Sequence, residues 1–179
     1  ASRLLGAGAV GLLLAIVQPF PVAIMVVVLA AYLGLVALQE RRLPWRQAVV
    51  AGTATLGAAP IILYDLYAYA TNPALAAWTD QNATGSLPPW NYALGYGLVL
   101  VLALPGVVVA VRRRQRGDLF LLAWLGGAAV LLYVPFALQR RFITGLHVPL
   151  VLLAAIGLEQ VLWPRMARRP RTMVTGLII

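Results

Sequence analysis

A chain of 179 residues that is 62% hydrophobic and 11% charged, with a mean hydropathy of +0.88, has too little polar surface to clothe a soluble globule. Its formal charge of +9 comes from fourteen arginines, without a lysine, against five acids. Those arginines stand in short clusters between apolar runs, which excludes the continuous basic face that nucleic-acid binding needs, so no nucleic-acid partner is expected. The absence of cysteine excludes a disulfide framework and thiolate metal sites.

A helix needs roughly 20 apolar residues to cross a hydrocarbon core about 30 Å thick. By that measure the sequence predicts an all-α, polytopic transmembrane helical bundle of about six spans, with the lipid bilayer as its first partner. The expected spans are Leu4 to Val17, Phe20 to Leu38, Ala48 to Ala70, Asn91 to Val111, Leu119 to Leu138 and Leu146 to Trp163. The first run follows Arg3 and lacks a small-residue cleavage site, so it reads as a membrane helix rather than a signal peptide. The chain opens on Ala1 and stops inside a fresh apolar run, Met173 to Ile179, where a seventh span begins. Residues 1–179 are therefore expected to be a single transmembrane region of a longer chain, with the remainder of the same polypeptide as a partner.

Counting arginines by loop orients these spans. Arg3 precedes the first span, Arg41, Arg42 and Arg46 follow the second, Arg112, Arg113, Arg114 and Arg116 follow the fourth, and Arg165, Arg168, Arg169 and Arg171 follow the sixth. Alternating crossings put those twelve on one side and leave only Arg140 and Arg141 on the other. Short cytoplasmic loops are rich in basic residues. Segments 39–47, 112–118 and 164–172 are therefore expected in the cytoplasm, and segments 71–90 and 139–145 outside. The outer loop 71–90 carries Trp78, Trp90, Pro88 and Pro89 and no arginine, and reads either as an aromatic interfacial anchor or as a half-buried cover over a cavity.

Four residues stand out as candidates for binding. Arg140 and Arg141 oppose the orientation bias, and arginine's planar donors suit phosphate or carboxylate; the plainer reading is snorkelling to lipid headgroups. His147, the one histidine, follows closely and reads first as a structural hydrogen-bonding residue. Asp65 lies about one and a half turns inside the outer end of the third span, where a carboxylate requires a partner or water, and Arg140 or Arg141 is the expected one. Glu159 is expected to pair with an inner arginine such as Arg165. Pro60, Pro105 and Pro135 fall inside expected spans and predict kinks. Gly52, Ala54, Gly57 and Ala58 form a small-residue surface for close helix contact. No Walker loop, dinucleotide fingerprint, zinc motif or nucleophile elbow is visible, so neither cofactor nor metal is expected.

The order of Asn72-Pro73, Trp78, Gln81-Asn82 and Pro88-Pro89, then Gly95-Tyr-Gly97, an arginine-rich turn, Pro135 to Phe142 and Gly145 to Leu150 resembles the C-terminal half of bacterial polytopic glycosyltransferases of the GT-C type. It is similar to the protein O-mannosyltransferase and aminoarabinose transferase families over residues 60 to 163, most of all at Gln139-Arg-Arg-Phe142. The resemblance implies transfer of a sugar from a polyprenyl-phosphate carrier on the outer face of the bacterial cytoplasmic membrane. Arg140 and Arg141 would then bind the carrier phosphate, with His147 and Asp65 nearby. In such families the catalytic base is an aspartate of the first outer loop, which this sequence does not contain, so no catalytic residue is carried over. A transporter or lipid-flipping subunit for an anionic substrate is the alternative, and a non-catalytic membrane scaffold a third.

Overall fold

The computed structural model describes residues 2–135 and 139–165, and every regular element among them is helical. The helices are α1 (Ser2–Val17), α2 (Phe20–Glu40), α3 (Trp45–Thr71), α4 (Pro73–Gln81), α5 (Pro89–Arg113), α6 (Arg116–Leu131) and α7 (His147–Gly157). A 3-10 helix, Gln139–Gly145, precedes α7, and a π-helical turn, Leu158–Leu162, follows it. Four helical stretches are long and apolar enough to cross a membrane: Phe20–Glu40, Trp45–Thr71, Pro89–Arg113 and Gln139–Arg165.

The expected first and fifth spans are the short ones. Helices α1 and α6 each have 16 residues, or about 24 Å at 1.5 Å per residue, below the roughly 30 Å of a hydrocarbon core. Pro19 stands just past α1 and caps α2, with Pro21 in its first turn. The fifth run was expected to extend to Leu138 with Pro135 inside it. Instead α6 stops at Leu131, and Pro135 lies beyond a turn at Leu132 and Tyr133. A proline ring clashes with the preceding turn and disfavours helical backbone at the residue before it, so the helix closes early. The expected seventh span lies outside the described residues.

Residues 71–90, expected as a loop, contain α4. Asn72 opens it, its side chain accepting a 3.0 Å bond from the Ala74 amide, with Pro73 in the first turn. Only residues 82–88 run without helical structure. Pro60 and Pro105 do lie inside α3 and α5, but the non-helical backbone within α5 is at Gly97, with φ 44° and ψ −117°. That conformation favours glycine, whereas the proline sites keep helical backbone.

The chain divides into two compact units. The first comprises residues 1–87 and 123–146, the second residues 88–122 and 147–179. In the first unit, α1 packs closely on α3. A Cβ at Gly11 would strike the carbonyl of Ala54, and one at Gly57 the carbonyl of Gly8, so the two backbones touch where side chains are absent. Four residues beyond Gly11 and Ala54, Ala15 and Ala58 are buried in one cluster with Val22 of α2, against which Ile61 and Ile62 pack. Gly8 also faces Thr53, and from that contact to the Ala15 and Ala58 cluster the positions advance along both helices, so α1 and α3 run parallel. In the expected small-residue surface, Gly57 and Ala58 take part and Ala54 supplies its carbonyl. Gly52 does not, for a Cβ there meets nothing within 4 Å.

The second unit repeats the device. Gly106 of α5 would bring a Cβ onto the Leu153 carbonyl, and Gly157 one onto the Leu102 carbonyl. Tyr96 and His147 stack ten residues earlier on both helices, with ring centroids 6.1 Å apart, so α5 and α7 also run parallel. Parallel neighbours that are not consecutive in sequence require an odd number of returns between them, which α2 supplies in the first unit.

Candidate functional site

In the first unit, the arginine pair lies on the 3-10 helix Gln139–Gly145, which is anchored by the buried Phe142 and Gly145. A Cβ at Gly145 would meet the Ile24 side chain of α2 at 3.0 Å, so a larger residue there would have to push that side chain aside by a few tenths of an ångström. Segment 82–88 is tied to the same turn. The Ser86 amide donates to Gln139 Oε1 at 2.9 Å, and the Arg140 amide donates to the Thr84 carbonyl at 3.2 Å. The Tyr133 hydroxyl donates to the Leu87 carbonyl at 3.0 Å, while Gln139 Nε2 donates to the Val134 carbonyl. These bonds join residues more than forty positions apart, except the last, which closes a local turn.

Both arginine residues are exposed. The Arg141 guanidinium lies 4.9 Å from the centroid of the Phe20 ring, a cation–π contact that orients it without neutralising it. Neither Arg140 nor Arg141 has a salt bridge to a described residue. The arrangement is an outward-facing turn with two guanidinium groups, pinned through its backbone and through Gln139.

Asp65 falls on the inward stripe of α3, one turn beyond Ile61 and Ile62, and is half-buried. The expected ion pair does not form, since Asp65 makes no salt bridge with any described residue. His147 belongs to the second unit, where its ring stacks on Tyr96 at an interplanar angle of 25°.

The expected pairing of Glu159 with an arginine such as Arg165 is corrected as well. Glu159 makes no salt bridge among the described residues, and the buried acid among them is Asp118, in the first turn of α6. Its carboxylate is 2% exposed and accepts from Arg113 Nη2 at 2.6 Å, from Arg113 Nε at 2.8 Å and from the Gln115 amide at 3.1 Å. The bond back to Gln115 is the acidic half of a capping box, which fixes the start of α6. The Arg113 hydrogen bonds, opposed by burial and helped by the Gln115 amide, hold the Asp118 carboxyl below the usual carboxylate range.

Reading residues alone missed the roles of Gln139 and Asp118. Gln139 stood out only within the stretch Gln139-Arg-Arg-Phe142, and its bridging role was not legible because its partners Ser86 and Val134 are set by folding. Asp118 did give a signal: an acid three residues after Gln115, in a turn otherwise filled with arginine. No family model matches the chain, and neither a curated protein nor a solved structure matches it.

Proposed function

We propose that the chain is part of a membrane glycosyltransferase that takes a sugar from a polyprenyl-phosphate carrier on the extracytoplasmic face of a bacterial cytoplasmic membrane. The supporting observation is the exposed pair Arg140 and Arg141, held on an anchored turn and without a carboxylate partner among the described residues. Two such groups supply planar donors for the non-bridging oxygens of a phosphate. In this reading the protein crosses the membrane six times within this sequence, with segments 39–47, 112–118 and 164–172 inside and 71–90 and 139–145 outside. The shortness of α1 and α6 is then accommodated by local thinning of the bilayer or by flanking residues.

The test is sugar transfer from a defined polyprenyl-phosphate donor by the full-length protein carrying Arg140→Ala or Arg141→Ala. A lost charge-assisted hydrogen bond costs about 1.5–3 kcal/mol, so transfer falls roughly ten- to a hundredfold while membrane insertion stays intact. Lysine restores only part of the loss, since it keeps charge but not the planar donors. Parental transfer by both alanine variants would overturn this reading in favour of headgroup snorkelling. The alternative of an anion-transporting or lipid-flipping subunit draws support from Asp65, half-buried without an ion pair among the described residues. Under it, Asp65→Asn abolishes substrate flux and no sugar transfer is found in the parent.

A further inference from the structure

We infer that Gln139 is the positioning residue of the arginine turn, clasping the outer segment 82–87 to it through both ends of one amide. The inference concerns the same site as the proposed function, and its phosphate-binding consequence rests on that reading. Gln139 Oε1 receives the Ser86 amide at 2.9 Å, and its Nε2 group donates to the Val134 carbonyl. An uncharged amide is the side chain that can accept on one side and donate on the other at fixed spacing. Thr84 accepts from the Arg140 amide at 3.2 Å, so the backbone of the first arginine is tied to the same segment that Gln139 holds. Tyr133 closes the far end by donating to the Leu87 carbonyl. Arg141, next in the chain, rests over Phe20 at the start of α2. Backbone bonds and a cation–π contact thus orient the two arginines, while Gln139 bridges the segments on which those contacts depend. The guanidinium N–H donors remain available, because none of these hydrogen bonds uses them and Arg141 meets Phe20 through a cation–π contact.

Two substitutions separate the two ends of the clasp. Gln139→Leu keeps approximate volume and removes both bonds. Gln139→Glu keeps acceptance from Ser86, but above its pKa it cannot donate to the Val134 carbonyl and places negative charge against it. A protonated glutamic acid again has one acceptor and one donor, so Gln139→Glu should regain parental behaviour as pH falls through and below the ordinary Glu pKa of about 4.3. Comparison with the parent at each pH cancels the pH effects that the two proteins share.

The experiment is amide hydrogen exchange of the full-length protein in nanodiscs, followed at peptides covering 82–88 and 139–141 and corrected for intrinsic pH dependence. Gln139→Leu is expected to speed exchange in both peptides, and Gln139→Glu to do so at pH 8 and progressively less as pH falls below about 4. Unchanged exchange at 139–141 in Gln139→Leu would overturn the inference, as would a Gln139→Glu variant insensitive to pH. In parallel, binding of undecaprenyl phosphate is measured by native mass spectrometry. Loss of two ordinary hydrogen bonds predicts roughly tenfold weaker binding for Gln139→Leu. Parental affinity in that variant, in a protein where Arg140→Ala does weaken binding, would also overturn the positioning role. If neither Arg140→Ala nor Arg141→Ala weakens binding, the phosphate reading fails, and the exchange data alone decide whether Gln139 positions the turn.

Discussion

Asp118 shows how one acid organises a turn that is otherwise a cluster of like charges. Arg112, Arg113, Arg114 and Arg116 repel one another across the α5–α6 connection, and Asp118 takes up Arg113 with both oxygens while capping α6. The turn also requires Arg114 to adopt φ 50°, a left-handed conformation that ends α5. A carboxyl held below its unfolded value contributes stability above the unfolded pKa of about 3.9, and this contribution is lost as pH falls through the lowered folded value. The parent should therefore lose thermal stability between about pH 4 and the acid side of that range, beyond what other carboxyls cause. Asp118→Asn should be less stable than the parent at pH 7 and show a smaller further loss on acidification. Equal melting temperatures of parent and variant at pH 7, followed by tryptophan fluorescence in detergent, would contradict the assigned role. Asp65 is the contrast: the sequence marks it as costly, but folding brings it no ionic partner among the described residues.

Glycine placement governs how the helices approach one another. Between α1 and α3, and again between α5 and α7, a Cβ would collide with a backbone carbonyl, which cannot move aside as a flexible side chain can. Close backbone contact substitutes for the hydrophobic driving force that lipid does not supply between apolar helices. Gly11→Val and Gly106→Val should each destabilise the fold by about 1–3 kcal/mol or more, as overpacking does. Gly52→Ala and Gly95→Ala, where a Cβ meets nothing within 4 Å, should be neutral or slightly stabilising through helix propensity. Steric-trap or denaturant unfolding in micelles checks the four variants together. If Gly52→Ala is as damaging as Gly11→Val, the packing described between α1 and α3 is wrong. Prolines, by contrast, did not place the bend. Pro60 and Pro105 sit in continuous helix, and the break in α5 falls at Gly97, since glycine tolerates a positive φ that proline cannot reach.

For the whole molecule, parallel α1 and α3, and parallel α5 and α7, are what strictly alternating crossings would produce within each unit. A topology that places the arginine clusters inside predicts that Ala83→Cys is labelled by an impermeant maleimide on intact cells. Gly117→Cys should be labelled only after permeabilisation. Both positions are exposed, so access and not burial is what the reagent reads. Labelling with the sides exchanged would reverse the orientation drawn from the arginine count.

Composition and hydropathy by themselves determined the helical class, because a chain this apolar must satisfy its backbone hydrogen bonds internally, and helices do so within one segment. The approximate positions of the four long spans followed from run length alone, and Arg140 and Arg141 were conspicuous because arginine count and loop order are local properties. Tertiary structure decided the rest. A run length does not reveal that α6 closes before Pro135 or that residues 73–81 coil into a helix. Nor does it reveal that Gln139 meets Ser86, that Asp118 rather than Glu159 captures an arginine, or that Gly57 touches another backbone while Gly52 does not. Each of those outcomes depends on which side chain arrives opposite which backbone group across tens of residues, and a periodicity shared by all the apolar runs carries no information about that pairing.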